Sequence, residues 1–122
     1  MSKPTILIVD DDLRILDMLI QVLSLEGYTL ETAHNGQEAV SVMDTAPQVN
    51  RVLLLDLTMP VLDGWGVVRW LVEHPETKQH TTTILMSAAE KLKLASDLEH
   101  DGELTKPFGI DILLDTLSRH IS

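Results

Sequence analysis

The sequence predicts an α/β fold, a parallel sheet with helices on both of its faces. Three observations carry this. Short apolar runs, at Thr5–Val9 and Val52–Leu55, and a β-branched then apolar run at Thr81–Met86, suit strands buried on both faces, as parallel strands are. Segments with helical apolar spacing lie between them, so strand and helix alternate along the chain. Each run ends on acids or a hydroxyl, namely Asp10-Asp11-Asp12, Asp56 and Ser87. Those ends form the crevice where open α/β sheets place their ligands.

Taken in order, TILIV from Thr5 to Val9 is the first strand. Three consecutive acids follow it. Asp12 suits the start of the next helix, where a carboxylate meets free N–H groups and the positive end of the dipole. Capping explains one acid of the three. The helix Leu13–Leu25 carries Leu16, Leu19, Ile20 and Leu23 at i, i+3, i+4 and i+7, and Gly27 ends it. Tyr28–Ala33 alternates and is less apolar, as an edge strand is. Asn35 with Glu38 three residues on marks a second helix start, with Ala39, Val40 and Met43 inward and Pro47 beyond its end. The run Val52–Leu55, bounded by Arg51 and Asp56, is the central strand. Pro60 has no N–H for a ladder, and Asp63-Gly64 is a turn before a helix over Trp65–Glu73, which Pro75 stops.

Thr81–Met86 is the fourth strand, with Ser87, Ala88 and Ala89 after it. Glu90–Leu98 has helical composition but a thin apolar face of Leu94, Leu98 and Ala95. Glu103–Thr105 is a short fifth strand leading into Lys106-Pro107-Phe108. The last helix, Ile110–Ile121, presents Leu113, Leu114, Leu117 and Ile121 on one face, with Asp111 in its first turn. Five βα units suit the flavodoxin-like doubly wound order 2-1-3-4-5, in which the first and third strands are neighbours at the switch point. That order merges Asp10, Asp11 and Asp56 into one cluster.

Composition sets bounds. At 122 residues, 44% of them hydrophobic and 23% charged, the chain is expected to form one domain over 1–122. Having no cysteine, it offers no disulfide, thiolate nucleophile or sulfur-ligated metal. A net charge of −10 disfavours direct nucleic-acid binding, which needs a Lys/Arg surface. No apolar run reaches the length of a membrane span and MSKPTILIV lacks a signal-peptide core, so the expected location is the cytoplasm.

Three carboxylates a few ångströms apart repel one another unless a cation lies among them. An all-oxygen set with open positions suits Mg²⁺, which keeps waters and often bridges to phosphate. Across the crevice Ser87 offers a hydroxyl and Lys106 an ammonium. Two cations, an oxygen donor and a nucleophilic carboxylate suit a phosphoryl group in transfer, and Asp is a phosphoryl acceptor elsewhere in enzymology.

The acid pair after TILIV, the stretch DLTMPVLDG, the SA after ILM and the LTKPF near the end occur in this order, each at a strand end. In this the chain resembles the receiver domain of two-component response regulators, from Thr5 to the last helix. The resemblance implies that Asp56 is the phospho-acceptor and that Asp10 and Asp11 are the acidic pair. Asp11 would then ligate Mg²⁺ directly and Asp10 mainly through water. Thr58 matches the residue whose backbone carbonyl completes the metal site. Ser87 matches the hydroxyl residue that hydrogen-bonds the phosphoryl group, and Lys106 the lysine that pairs with it. Pro107 matches a proline usually preceded by a cis peptide. The implied donor is a sensor histidine kinase or a histidine phosphotransfer protein. The domain is not a turnover enzyme, and its downstream target goes unnamed.

Two departures from the family pattern stand out. Ser87 to Lys106 is a few residues short, which predicts a trimmed fourth helix. Glu103 stands where the family usually carries a switch Tyr or Phe. Burying an unpaired carboxylate is costly, so Glu103 is expected to stay at the surface, paired with Lys91 or Lys93. Output is then expected through ordering of Ser87–Glu103 rather than through a tight dimer.

Two other functions compete. An aspartyl-phosphate phosphohydrolase would commonly want an acid/base Asp where Thr58 stands. A degenerate docking module would not need the full acceptor set. His34, His74, His80, His100 and His120 have no metal-binding spacing and are expected to be solvated. Trp65 and Trp70 are expected to pack on a helix face, and Glu90-Lys91-Leu92-Lys93 to form a solvated one. No glycine-rich nucleotide motif is present.

Overall fold

A computed structural model of the chain describes residues 3–121. Met1, Ser2 and Ser122, the ends of the expected 1–122 domain, lie outside the described residues. Strands β1 (Thr5–Val9), β2 (Leu30–Ala33), β3 (Arg51–Asp56), β4 (Thr81–Ser87) and β5 (Gly102–Thr105) form one sheet in the order β2-β1-β3-β4-β5. Every neighbouring pair is parallel. The helices are α1 (Leu13–Leu25), α2 (Gly36–Thr45), α3 (Gly64–Val72), α4 (Pro75–Lys78), α5 (Ala89–Leu94) and α6 (Ile110–His120). The fold class and strand order are those read from the alternation.

The period-2 geometry of the strands sends successive side chains to opposite faces. Leu7, Val9, Leu53, Leu55 and Leu85 therefore join one core with α2, α3 and α5. Ile6, Ile8, Val52, Leu54, Ile84 and Met86 join the other with α1 and α6. All six residues of β3 are buried, because the strand is central and covered on both sides. Each fully buried Leu or Ile contributes about 2 kcal/mol by leaving water.

Local chemistry explains where the elements differ from expectation. β2 begins at Leu30 rather than Tyr28 because the Tyr28 N–H closes α1, donating to the Leu23 carbonyl at 3.3 Å, while Gly27 turns the chain with φ of +84°. Pro75 stops α3 and also opens α4, one further turn, since its fixed φ suits a first helical position. The trimmed fourth segment is α5, only six residues long. Ala95 (1% exposed) and Leu98 face the core as expected, but the phase departs at two residues: Leu92 (5% exposed) points inward and Leu94 is 75% exposed. Leu92 is thus a core residue rather than part of a solvated face. In so short a helix the junction with β4, not an average period, sets which side faces the sheet.

The β3–α3 connection holds one strained residue. Val61 has φ of +70°, and Leu62 N–H closes a three-residue turn onto the Pro60 carbonyl at 2.9 Å. A β-branched side chain is disfavoured at positive φ. Val61 is 80% exposed, so its side chain contributes little packing in return. Val61→Gly is expected to raise stability by about 0.5–1 kcal/mol, read as a higher urea midpoint. A lower midpoint would contradict the strain.

Candidate functional site

The C-terminal ends of β1, β3, β4 and β5 open on one crevice. β1 and β3 pair through Val9 and Leu55, so the next residues, Asp10 and Asp56, leave the sheet side by side. Asp10 is fully buried and Asp56 is 6% exposed, whereas Asp11 lies at the surface. Asp10, Asp11 and Asp56 each present a carboxylate oxygen within 4.8 Å of the others. Asp12 does not join them. Its side chain accepts from Arg14 N–H at 2.9 Å and caps α1, as expected of one acid of the three.

Lys106 supplies the positive charge. Its Nζ donates to Asp10 Oδ2 at 2.7 Å and lies 3.5 Å from Asp56 Oδ1. Its backbone N–H donates to the Ser87 carbonyl at 2.8 Å, which carries β5 alongside the end of β4. Ser87 is buried beside it. The Lys106-Pro107 peptide is cis, as expected. Asp10 Oδ1 also accepts from the Asp12 N–H at 2.9 Å. Thr58 is exposed at the rim, and its backbone N–H points to Asp56 Oδ1 at a long 3.5 Å.

A glycine keeps the crevice shaped. A Cβ on Gly64 would lie 2.6 Å from the Asp56 carbonyl and 2.8 Å from Leu57 Cα. Both contacts are backbone and cannot yield. The Asp63-Gly64 pair thus does more than turn the chain: Asp63 caps α3 through Gly66 N–H at 2.9 Å, and Gly64 lets the helix start press against the end of β3.

The electrostatics follow from this packing. Burial and then the Asp10 charge push the Asp56 carboxyl from its ordinary 3.8 up to about 6, against the opposing pull of Lys106 and the Thr58 N–H. Burial disfavours the charged form of Lys106, but the hydrogen bond to Asp10 and the charges of Asp56 and Asp10 outweigh it and raise its pKa. The carboxylates therefore hold more negative charge than one ammonium neutralises. Hard oxygen donors with a surplus of charge fit a divalent cation such as Mg²⁺.

Comparison with known proteins agrees with this geometry. The family model of the response regulator receiver domain matches residues 6–118. The chain belongs to the response regulator receiver family. It is 36% identical over 112 residues to the response regulator MprA of Mycobacterium ulcerans, covering 89% of this chain and 46% of that protein. It therefore spans less than half the length of that curated relative. Among solved structures it is similar to the chemotaxis response regulator CheY4 of Vibrio cholerae, with a TM-score of 0.84, 30% identity, and 97% and 98% of the two chains covered. A putative response regulator from Chloroflexus aurantiacus gives a TM-score of 0.85 at 28% identity, with 97% of each chain covered. Receivers of this family are signalling domains of two-component systems, switched by phosphorylation. Among the described residues no helix is long and apolar enough to cross a membrane.

Two sequence expectations near the site need correction. Glu103 does stay exposed, but its partner is neither Lys91 nor Lys93. Glu103 Oε2 accepts from His100 Nε2 at 2.7 Å. The partner is close in sequence, three residues before Glu103, and the turn between α5 and β5 folds it back onto the strand. The histidines are also not uniformly solvated: His74, His80, His100 and His120 are half-buried. His74 stacks on Trp70 with ring centroids 4.1 Å apart, and His120 bonds the Thr116 and Asp101 carbonyls at 2.9 and 3.1 Å. His74, His100 and His120 each turn a ring nitrogen to a main-chain carbonyl, while His80 Nδ1 meets the Asn50 side chain at 3.0 Å, which no spacing motif reveals.

Proposed function

We propose that the chain, over 1–122, is one receiver domain in which Asp56 accepts a phosphoryl group from a phosphohistidine. The observation that carries this reading is the position of Asp56, at a strand end between two further acids with an ammonium 3.5 Å away. In the transfer, an Asp56 carboxylate oxygen forms a bond to phosphorus. The P–N bond breaks with its electron pair left on the imidazole nitrogen. Lys106 neutralises charge on the phosphoryl oxygens, and the Ser87 hydroxyl donates to one of them. Asp11, Asp56 and the Thr58 carbonyl would hold Mg²⁺, with Asp10 acting mainly through water, and the ion would offset charge on the acids and the phosphoryl group.

On this reading the domain assists only its own phosphorylation and dephosphorylation. Its donor is a sensor histidine kinase or histidine phosphotransfer protein. Output passes through local ordering of Ser87–Glu103, read by a downstream target, rather than through a tight dimer.

The test uses acetyl phosphate and Mg²⁺ as a small donor system. The chain should gain one phosphoryl group that hydroxylamine removes, and peptide mapping should place it on Asp56. A hydroxylamine-stable label, or one mapped elsewhere, would overturn the assignment.

A further inference from the structure

We propose that His100 is a proton-sensitive latch that fixes Glu103 onto the connection between α5 and β5. The latch can be read without the acceptor chemistry; only its signalling consequence rests on the receiver reading.

The argument begins with the two ring nitrogens. His100 Nδ1 faces the Leu98 carbonyl, and Nε2 faces Glu103 Oε2 at 2.7 Å. Both partners are acceptors when Glu103 is ionised. A neutral imidazole carries one N–H, so it can serve one of them and turns a lone pair toward the other. Only a ring with both nitrogens protonated satisfies both. One added proton on the pair therefore lets both contacts form at once. Losing that proton breaks one of the two contacts, whichever tautomer remains.

The surroundings leave the ring little freedom to compensate. Its side chain is 12% exposed, against 43% for Glu103. Glu99 and Asp101 flank it on its own segment, and both are engaged: Glu99 bonds Lys78 of α4 at 2.8 Å, and Asp101 Oδ2 accepts from the Thr83 N–H of β4 at 2.8 Å. Asp101 N–H in turn donates to the Thr83 carbonyl at 2.9 Å. α3 presents only Val68 and Leu71 to the cleft of about 300 Å³ at this place, and β4 only uncharged threonines. Lys78 is the one permanent cation among these groups, and Glu99 occupies it; from α6 the titratable His120 also reaches the segment, its Nε2 3.1 Å from the Asp101 carbonyl. The Asp101–Thr83 pair anchors one end of the segment and the Ala95 N–H, bonded to the Lys91 carbonyl at 3.1 Å, anchors the other. Deprotonation thus removes one of the two ties between Leu98 and Glu103 that run through the ring, while the Leu98 N–H to Ala95 carbonyl bond at 2.9 Å and the Glu99–Lys78 pair stay in place. The segment connects the strand that ends at Ser87 with the strand that leads to Lys106. A receiver built this way sets its output segment by pH as well as by phosphorylation.

The experiment is ¹⁵N and ¹³C NMR of the unphosphorylated protein between pH 5.5 and 8, on wild type, His100→Gln, Glu103→Gln and Asp56→Asn. In the wild type both His100 nitrogens should be protonated at the acid end. As the ring loses its proton, the amides of Leu98 to Asp101 and the Glu103 carboxylate should move with it. His100→Gln can still donate to Glu103 but cannot titrate, so the coupled movement should vanish. Glu103→Gln should uncouple the ring from residue 103. Asp56→Asn should behave as the wild type, which separates this result from any failure of the acceptor assignment. A ring that titrates while 98–101 and Glu103 stay still would overturn the latch. So would an identical pH response in His100→Gln.

Discussion

Asp56→Asn is expected to end phosphorylation by acetyl phosphate and, in metal-free buffer, to make the protein more stable at neutral pH. Both effects come from the same carboxylate. The amide has no nucleophilic oxygen anion, so labelling should fall to background. It also carries no charge. In the folded wild type Asp56 binds its proton up to about pH 6, whereas an unhindered Asp releases it near 3.8. Between those values the folded state holds more protons than the unfolded state, so stability is lost as pH rises through this window. Above about pH 6 the loss is complete.

Raising the carboxyl from 3.8 to about 6 corresponds to about 3 kcal/mol before screening. The crevice opens to solvent, which brings the expected gain of Asp56→Asn to about 1 kcal/mol. The gain should disappear below about pH 4, where both side chains are neutral. Mg²⁺ at millimolar concentration should stabilise the wild type by binding the folded state, and should do so far less in Asp11→Asn. Urea titrations at pH 4 and pH 7.5, with and without Mg²⁺, measure all of this. Equal stability of Asp56→Asn and wild type at pH 7.5 without metal would show that the cluster carries no surplus charge.

Arg51→Ala is expected to cost about 3 kcal/mol, the low end for breaking a buried ion pair. Arg51 starts β3 with its side chain 1% exposed. Nε and Nη2 donate to the two Glu31 oxygens at 2.7 and 3.3 Å, and Nη1 donates to the Ala46 carbonyl beyond α2 at 2.9 Å. One guanidinium thereby ties β2, β3 and the end of α2 together under the sheet. Its loss leaves a cavity and an acceptor without a donor. The cost stays near the low end because Glu31 is 31% exposed and can turn to water. Glu31→Gln should therefore cost less, about 1 kcal/mol. A chemical-denaturation loss below 1 kcal/mol for Arg51→Ala would contradict this account. The site lies at the other end of the strands, so acetyl phosphate labelling of folded protein should be retained.

Much of this molecule was legible in its residues. The parallel sheet followed from TILIV and VLLL, runs too short for helices and too continuous for a half-exposed strand. The crevice followed from what ends those runs. Asp10, Asp11, Asp56, Ser87 and Lys106 all stand at strand termini, and topology alone brings them to one side. The cap at Asp12 and the start at Asn35 were likewise local, since a side chain and the N–H groups it serves are two or three residues apart.

The sequence by itself determined the sheet, its order and the acid cluster, because strand periodicity and strand-end chemistry depend on neighbours in the chain. Tertiary structure alone decided the partners across the chain. Arg51 reads as the polar edge of an apolar run, yet it is buried because Glu31, 20 residues earlier, and the end of α2 close over it. Lys106 sits 2.7 Å from Asp10, 96 residues away. Leu92 went inward and Leu94 outward because a six-residue helix takes its phase from the strand it follows. Charge and hydrogen-bond pairing are short-ranged, so they are settled only once the backbone has brought distant residues within about 3 Å.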